Sequence, residues 1–270
     1  MAVTTFIPEL WSARLKYNLE KNLVAANLVN RDYEGEIRQA GDTVHINNLN
    51  PITIRTYAAG TPITVEDLTT TDTDLVISEQ DYFAFKVEDI DKAQSAGDLV
   101  DTAMGRASYG LADNADAYLI GKMAAEGTAV GTVASMTASN IYPEILKIRK
   151  AMDKANVPTV GRWLLVDPDA YALLLADTTH FINGSEAGAD RYTNGYVGKV
   201  AGFEVYESNN VTKKLIGGVN EAVTYASQVS EIEAFRPESS FSDAVKGLHV
   251  YGAKVTRPAA IQVTTVTAYA

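Results

Sequence analysis

The chain has 270 residues, 46% of them apolar, a formal net charge of −11 and no cysteine. That length and apolar fraction suffice for one large or two interleaved domains with a packed core, and argue against disorder. The missing cysteines exclude disulfides, thiolate nucleophiles and cysteine-based zinc sites, and the acidic balance disfavours tight binding of a polyanion such as nucleic acid. The start, MAVTTFIPELW, lacks the basic residue, apolar stretch and small-residue cleavage site of a secretory signal. No apolar run approaches the ~20 residues that a membrane helix needs, so no membrane partner is expected.

In chain order, residues 8 to 30 place Trp11, Leu15, Leu19, Leu23 and Leu28 four or five apart, the stripe of an amphipathic helix with Pro8 near its start. From Asp42 the period shortens. Val44 and Ile46, Ile52 and Ile54, then Leu75 and Ile77 alternate with polar residues, which predicts strands. Residues 47 to 74 carry Pro51, Gly60, Pro62 and the run VEDLTTTDTD with few large apolar groups, so this stretch cannot bury itself alone. A two-stranded excursion from the body fits it. Exposed edges of that kind are an aggregation hazard in a monomer and are usually covered by a partner.

Helical spacing returns over residues 88 to 126. Val100, Ala103, Ala107, Leu111, Ala115 and Leu119 lie on one side, with Asp98, Asp101, Asp113 and Asp116 largely elsewhere. A helix of ~30 residues is ~45 Å long, more than a compact domain needs. The soft run GTAVGTVASMTAS marks a domain boundary near residues 127 to 138. Asn140 and Pro143 then open a helix carrying Ile141, Ile145, Ile148 and Met152. In RWLLVDPDAYALLLAD, residues 162 to 166 read as a buried strand, Asp167 as an N-cap, and Pro168 to Ala176 as a helix. A glycine-containing loop from Asn183 to Gly195 leads to a strand with Val200, Phe203, Val205 and Tyr206. Further strands are expected at Val223 and Tyr225, 232–235, 248–255 and 261–266, with no internal repeat.

Little in this pattern supports catalysis, a metal or a cofactor. His45, His180 and His249 lack a second histidine at metal-ligand spacing. GYVGKVAG has glycines beside Lys199, but Val200 follows where a phosphate loop needs Ser or Thr and a helix. Asp167 with Asp169 caps a helix, and Asp72 with Asp74 sits in a polar threonine run. There is no GxSxG elbow and no dinucleotide fingerprint after a strand.

Three stretches carry a resemblance to a known family. They are FIPELWSARLKYNLEKNLVAANLVNRDYEGEIRQAGDTVHI at 6–46, GYVGKVAGFEVYESNNV at 195–211 and LHVYGAKVTRPAAIQV at 248–263. In that order they resemble tailed-phage major capsid proteins of the Hong Kong type (Johnson fold), nearest the branch related to the coat proteins of Salmonella short-tailed phages. The resemblance implies an α+β fold with an N-terminal arm and helix at 1–46 and an extension loop at 47–75. It also implies a peripheral domain at 76–138 and 226–258, with a spine helix at 92–126, and an axial domain at 139–225 and 259–270. Arg55, Tyr57, Glu66 and Asp67 would be the assembly contacts of the extension loop, and the loop at 183–195 could face the capsomer centre.

The implied function is self-assembly through hexamers and pentamers into an icosahedral head shell around phage DNA, built in the host bacterial cytoplasm. The packaged DNA would be touched weakly and non-specifically. A portal is an expected partner, and so is a separate scaffolding protein, since no long charged N-terminal segment is seen. Extension-loop crosslinking through a lysine is not expected, because no lysine lies between Lys21 and Lys86. Three other readings stand beside this one: an encapsulin-like nanocompartment shell of the same fold, a soluble α/β enzyme using Asp167 and Lys199, and a tail or fibre protein.

Overall fold

The computed structural model describes residues 25–34, 43–49, 52–57, 59–60, 62–63, 65–88, 99–177, 198–237 and 242–270. The expected helix positions Trp11, Leu15, Leu19 and Leu23, His180 and the 183–195 loop lie outside these residues. The end of that stripe is a 3-10 turn, Ala25–Leu28, in which Ala25, Ala26 and Leu28 are buried. The chain leaves the turn at Asn30, which bridges to Thr224, so the expected helix does not run on to residue 30.

Two strands, β1 (Thr43–Leu49) and β2 (Thr70–Val76), form an antiparallel ribbon, with Val44 opposite Leu75 and His45 opposite Asp74. Each strand spans ~24 Å at the usual rise. Residues 52–57, expected as a strand at Ile52 and Ile54, lie beyond the ribbon and outside any strand. Alternation alone does not make a strand; it needs a ladder partner for its backbone groups.

A three-stranded antiparallel sheet follows, in the order β3 (Glu79–Glu88), β10 (Ser242–Val255), β9 (Val223–Phe235). The segments expected at 223–225 and 232–235 are parts of one 13-residue strand. Helix α1 (Leu99–Glu126), 28 residues and ~42 Å long, packs on this sheet. Its buried stripe is Met104, Ser108, Leu111, Ala112, Ala115, Leu119, Ile120 and Met123. Asp113 is exposed as expected, whereas Asp116 is buried and accepts hydrogen bonds from the Ala25 amide (2.7 Å), the Ser208 hydroxyl and the Asn210 side-chain amide. Burial of that carboxylate depends on three segments converging on it. Asp98 and the side chains of Val100 and Asp101 lie outside the described residues.

The third sheet has six strands in the order β4 (Thr128–Val133), β11 (Gln262–Val266), β8 (Lys214–Val219), β5 (Arg162–Val166), β7 (Phe203–Glu207), β6 (Lys199–Val200). The soft run after α1 therefore contains an edge strand, paired in parallel with β11. Helix α2 (Ile141–Lys154) rests on β11, β4 and β8, with Ile141, Ile145, Ile148 and Met152 all fully buried. Helix α3 (Pro168–Ala176) contacts α2 and begins as expected: the Asp167 carboxylate accepts from the Ala170 amide at 3.0 Å. Buried Arg162 closes the C-terminal end of α2 by donating to the Val157 and Pro158 carbonyls and pairing with Asp153 at 2.7 Å.

Candidate assembly surface

The strongest departure from a self-sufficient fold is the arm that β1 and β2 carry. Its root is apolar: Val44, Ile46, Leu75 and Ile77 form a small core with Ala226 of β9 and Val250 of β10, flanked by Tyr33 and Leu248. The opposite face of the ribbon is polar, where the His45 ring lies 2.6 Å from Asp74. Beyond the ribbon the two legs meet at Glu66, whose carboxylate accepts from the amide and hydroxyl of Thr53, both at 3.3 Å.

That loop exposes Ile52, Ile54, Tyr57, Ile63, Val65 and Leu68, with Ile54 96% exposed. Single exposed apolar side chains are common; five aliphatics and a tyrosine on one narrow excursion are not. The sequence-derived candidates fall on the same excursion. Arg55 and Tyr57 are exposed on the outgoing leg, and Glu66 and Asp67 on the return leg. Of the apolar residues beside them, Ile52 and Ile54 read as strand positions in the sequence, and Ile63, Val65 and Leu68 were missed because they are spread through a Thr-, Pro- and Asp-rich stretch. Only the exposure of the folded chain distinguishes them from a core strand.

The other candidates serve the fold. Asp167 is buried, and besides capping α3 it accepts from the Lys213 amide (3.2 Å) and the Tyr269 hydroxyl (2.5 Å). Burial and that carboxylate push the Tyr269 phenol above its ordinary range. Lys199 is in register with Glu204, itself opposite Trp163, so it lies at the other end of the sheet rows from Asp167. It pairs with Glu204 at 3.0 Å and holds that carboxyl below its usual value. Gly202, with Ala201, forms the tight turn of the β6–β7 hairpin rather than part of a phosphate loop. His249 is fully buried in β10, its ring 4.9 Å from Tyr251, and burial pushes it down to about 4 against the opposing pull of Asp81. Among the described residues no group of three or more His, Asp or Glu side chains could hold a metal ion. No helix among them is long and apolar enough to cross a membrane.

A family model described as "Phage capsid protein" matches residues 76–264. A chain from Mycobacterium phage Che8 is 33% identical and superposes with a TM-score of 0.77 over 97% of this chain and 98% of that one. The capsid of cyanophage P-SCSP1u has the same fold at 17% identity, with a TM-score of 0.77 over 90% and 88% of the two chains. A virus-like particle from Pyrococcus furiosus shares it at 15% identity and 0.59, over 95% and 98%. A search of curated proteins finds no match.

Proposed function

The chain belongs to the phage capsid protein family, and from that membership we propose that its shell closes by one copy laying residues 47–75 on its neighbour. It is a major capsid protein: it assembles with copies of itself into the icosahedral head shell of a virion and has a structural, not an enzymatic, role. The observation that carries the arm reading is the exposed run from Ile52 to Leu68. Each aliphatic side chain in it gains roughly 1.5–3 kcal/mol on full burial, before the cost of ordering the loop. A monomer leaves that gain unrealised and a neighbour supplies it. Arg55, Tyr57, Glu66 and Asp67, interleaved with these residues, set the orientation of the contact.

The same reading divides the body into the peripheral domain at 76–138 and 226–258 and the axial domain at 139–225 and 259–270. The separation of the three-stranded sheet with α1 from the six-stranded sheet with α2 and α3 supports this division except at its first boundary, since β4 (128–133) pairs with β11 in the six-stranded sheet. Subunits group into hexamers and pentamers, with a scaffolding protein and a portal as assembly partners. The net charge of −11 supports a wall that holds DNA without gripping it. The stretch at 248–263, which supplies most of β10 and the start of β11, supports placement nearest the coat-protein branch of Salmonella short-tailed phages. Replacing residues 52–67 with a short Gly-Ser turn keeps β1 and β2 paired. The expected result is a folded subunit that forms no closed shells under electron microscopy; normal particles would overturn the arm reading.

A further inference from the structure

The six-stranded sheet ends on one side in a strand with an open edge. Among the described residues β4 (Thr128–Val133) pairs with β11 alone, in parallel, so its outer row of amides and carbonyls has no strand beside it. Thr128, Ala129, Gly131 and Thr132 are exposed, while Val130 and Val133 pack partly against the main core. Open edges are ordinarily blunted by charge, proline or shortness, because they template further pairing. The other edges of the two larger sheets follow that rule. β3 carries Glu79, Asp81, Lys86 and Glu88, β9 carries Glu231 and Glu233, and β6 has two residues, one of them Lys199. β4 has none of these devices: from Gly127 to Tyr142 the chain contains no charged residue and no proline.

We propose that this edge takes a further strand, and that the strand is residues 2–7 of the same chain. The run AVTTFI is as long as β4, carries no charge and no glycine, and includes the β-branched residues Val3, Thr4, Thr5 and Ile7. Pro8 follows it and lacks the amide that a ladder needs, so the pairing stops there. The path back into the described fold has the right length. The Ala25 amide is fixed on Asp116 of α1 at 2.7 Å, and α1 runs on to Glu126, just before β4. From Asp116 to Glu126 is about 15 Å of helix. Residues 8–24 span about 26 Å as a helix and up to about 56 Å extended, so in either form they reach the β4 edge of their own copy. The path also sets the direction. A chain that returns from the strand towards Asp116 leaves Ile7 at the Thr128 end and Ala2 at the Val133 end, which is antiparallel pairing. Full overlap of the two segments then puts Thr5 opposite Val130. Main-chain hydrogen bonds supply the contact, as in strand addition generally, and neither strand brings a charge to oppose it.

The chain has no cysteine, so engineered pairs report contacts without background. The full chain with Thr5→Cys and Val130→Cys is oxidised, separated on a non-reducing denaturing gel and mapped by mass spectrometry. Opposite residues of an antiparallel pair lie about 4.5–5.5 Å apart, inside the reach of a disulfide. The expected product is a single chain in which the two cysteines are joined. Thr5→Cys with Tyr82→Cys, on the charged edge strand of the other sheet, should stay unlinked. Links between two chains would assign the β4 edge to a second copy and overturn the same-chain occupant. No link at position 130, or equal linking at position 82, would overturn the docking itself. Amide exchange provides a readout without cysteines. Residues 128–133 should lose protection when Thr4→Pro and Thr5→Pro together remove a donor on either side of the added strand; unchanged exchange would likewise overturn the docking.

Discussion

Gly252 of β10 lies directly beneath the exit of the arm: a Cβ at this position would stand 2.4 Å from the Val76 carbonyl oxygen and 3.0 Å from the Ile77 Cα. The obstacle is backbone, which cannot rotate aside as a side-chain tip can. The absence of a side chain at Gly252 is thus what lets β2 cross close over β10 and lets Leu75 and Ile77 reach Ala226 and Val250. Gly252→Ala should cost about 1–3 kcal/mol in urea unfolding, the range for overpacking, and should lower the yield of closed particles beyond what the stability loss explains. Unchanged stability and yield would show that the root yields freely.

Asp116 holds the Ala25 amide, Ser208 and Asn210 onto the middle of α1. Asp116→Ala leaves the buried Ala25 amide and the buried Ser208 hydroxyl without this acceptor, while the Asn210 side chain still donates to Asp113 at 2.9 Å. The expected loss is about 1–3 kcal/mol per stranded buried group, read as a lower denaturant midpoint. Asp116→Asn, which keeps one carbonyl oxygen for Ala25, should lose less.

Acid should weaken the three-stranded sheet through His249. Neither ring nitrogen has a hydrogen-bond partner, and its charged neighbour on β3 is Asp81, already engaged by the Tyr251 hydroxyl at 2.8 Å. The folded value of about 4 lies below the unfolded 6.5. The contribution is therefore complete above about pH 6.5 and is lost as pH falls towards 4. Between pH 7 and pH 5 this group alone removes about 2 kcal/mol. His249→Leu should flatten that part of the stability profile; an unchanged acid slope in the variant would rule this group out as its cause.

The turn between β6 and β7 places Ala201 at φ 50° and Gly202 at φ 86°, while Arg149 of α2 donates to the Ala201 carbonyl at 3.0 Å. A left-handed alanine costs about 1 kcal/mol that glycine or asparagine avoids. Ala201→Gly should raise thermal stability by several tenths of a kcal/mol up to about 1 kcal/mol, and Ala201→Val should lower it. Differential scanning calorimetry separates these outcomes.

Mature particles boiled in denaturant should run as one band near 29.1 kDa, because the segment from Lys21 to Lys86 offers no arm lysine for an isopeptide bond. A ladder would place a covalent link elsewhere in the chain.

The sequence by itself determined the elements whose signals are local. The i, i+4 stripe Ile141, Ile145, Ile148 and Met152, the apolar run 162–166, and Asp167 before Pro168 each specify an element within a few residues, and all three fold as read. It also determined that residues 47–74 had no core of their own, and, through the order of three stretches, the family. Tertiary structure decided what depends on distant partners. Strands β3, β4 and β8 went unread because their ladders are completed by residues far along the chain, as where Thr128 pairs with Gln262. Ile52 and Ile54 alternate like a strand yet find no ladder, and Asp116 looks like a solvent-facing acid until Ala25 and Asn210 arrive to satisfy it. Local pattern fixes periodicity and caps, whereas which face is covered, and by what, follows from pairings that close over tens to hundreds of residues.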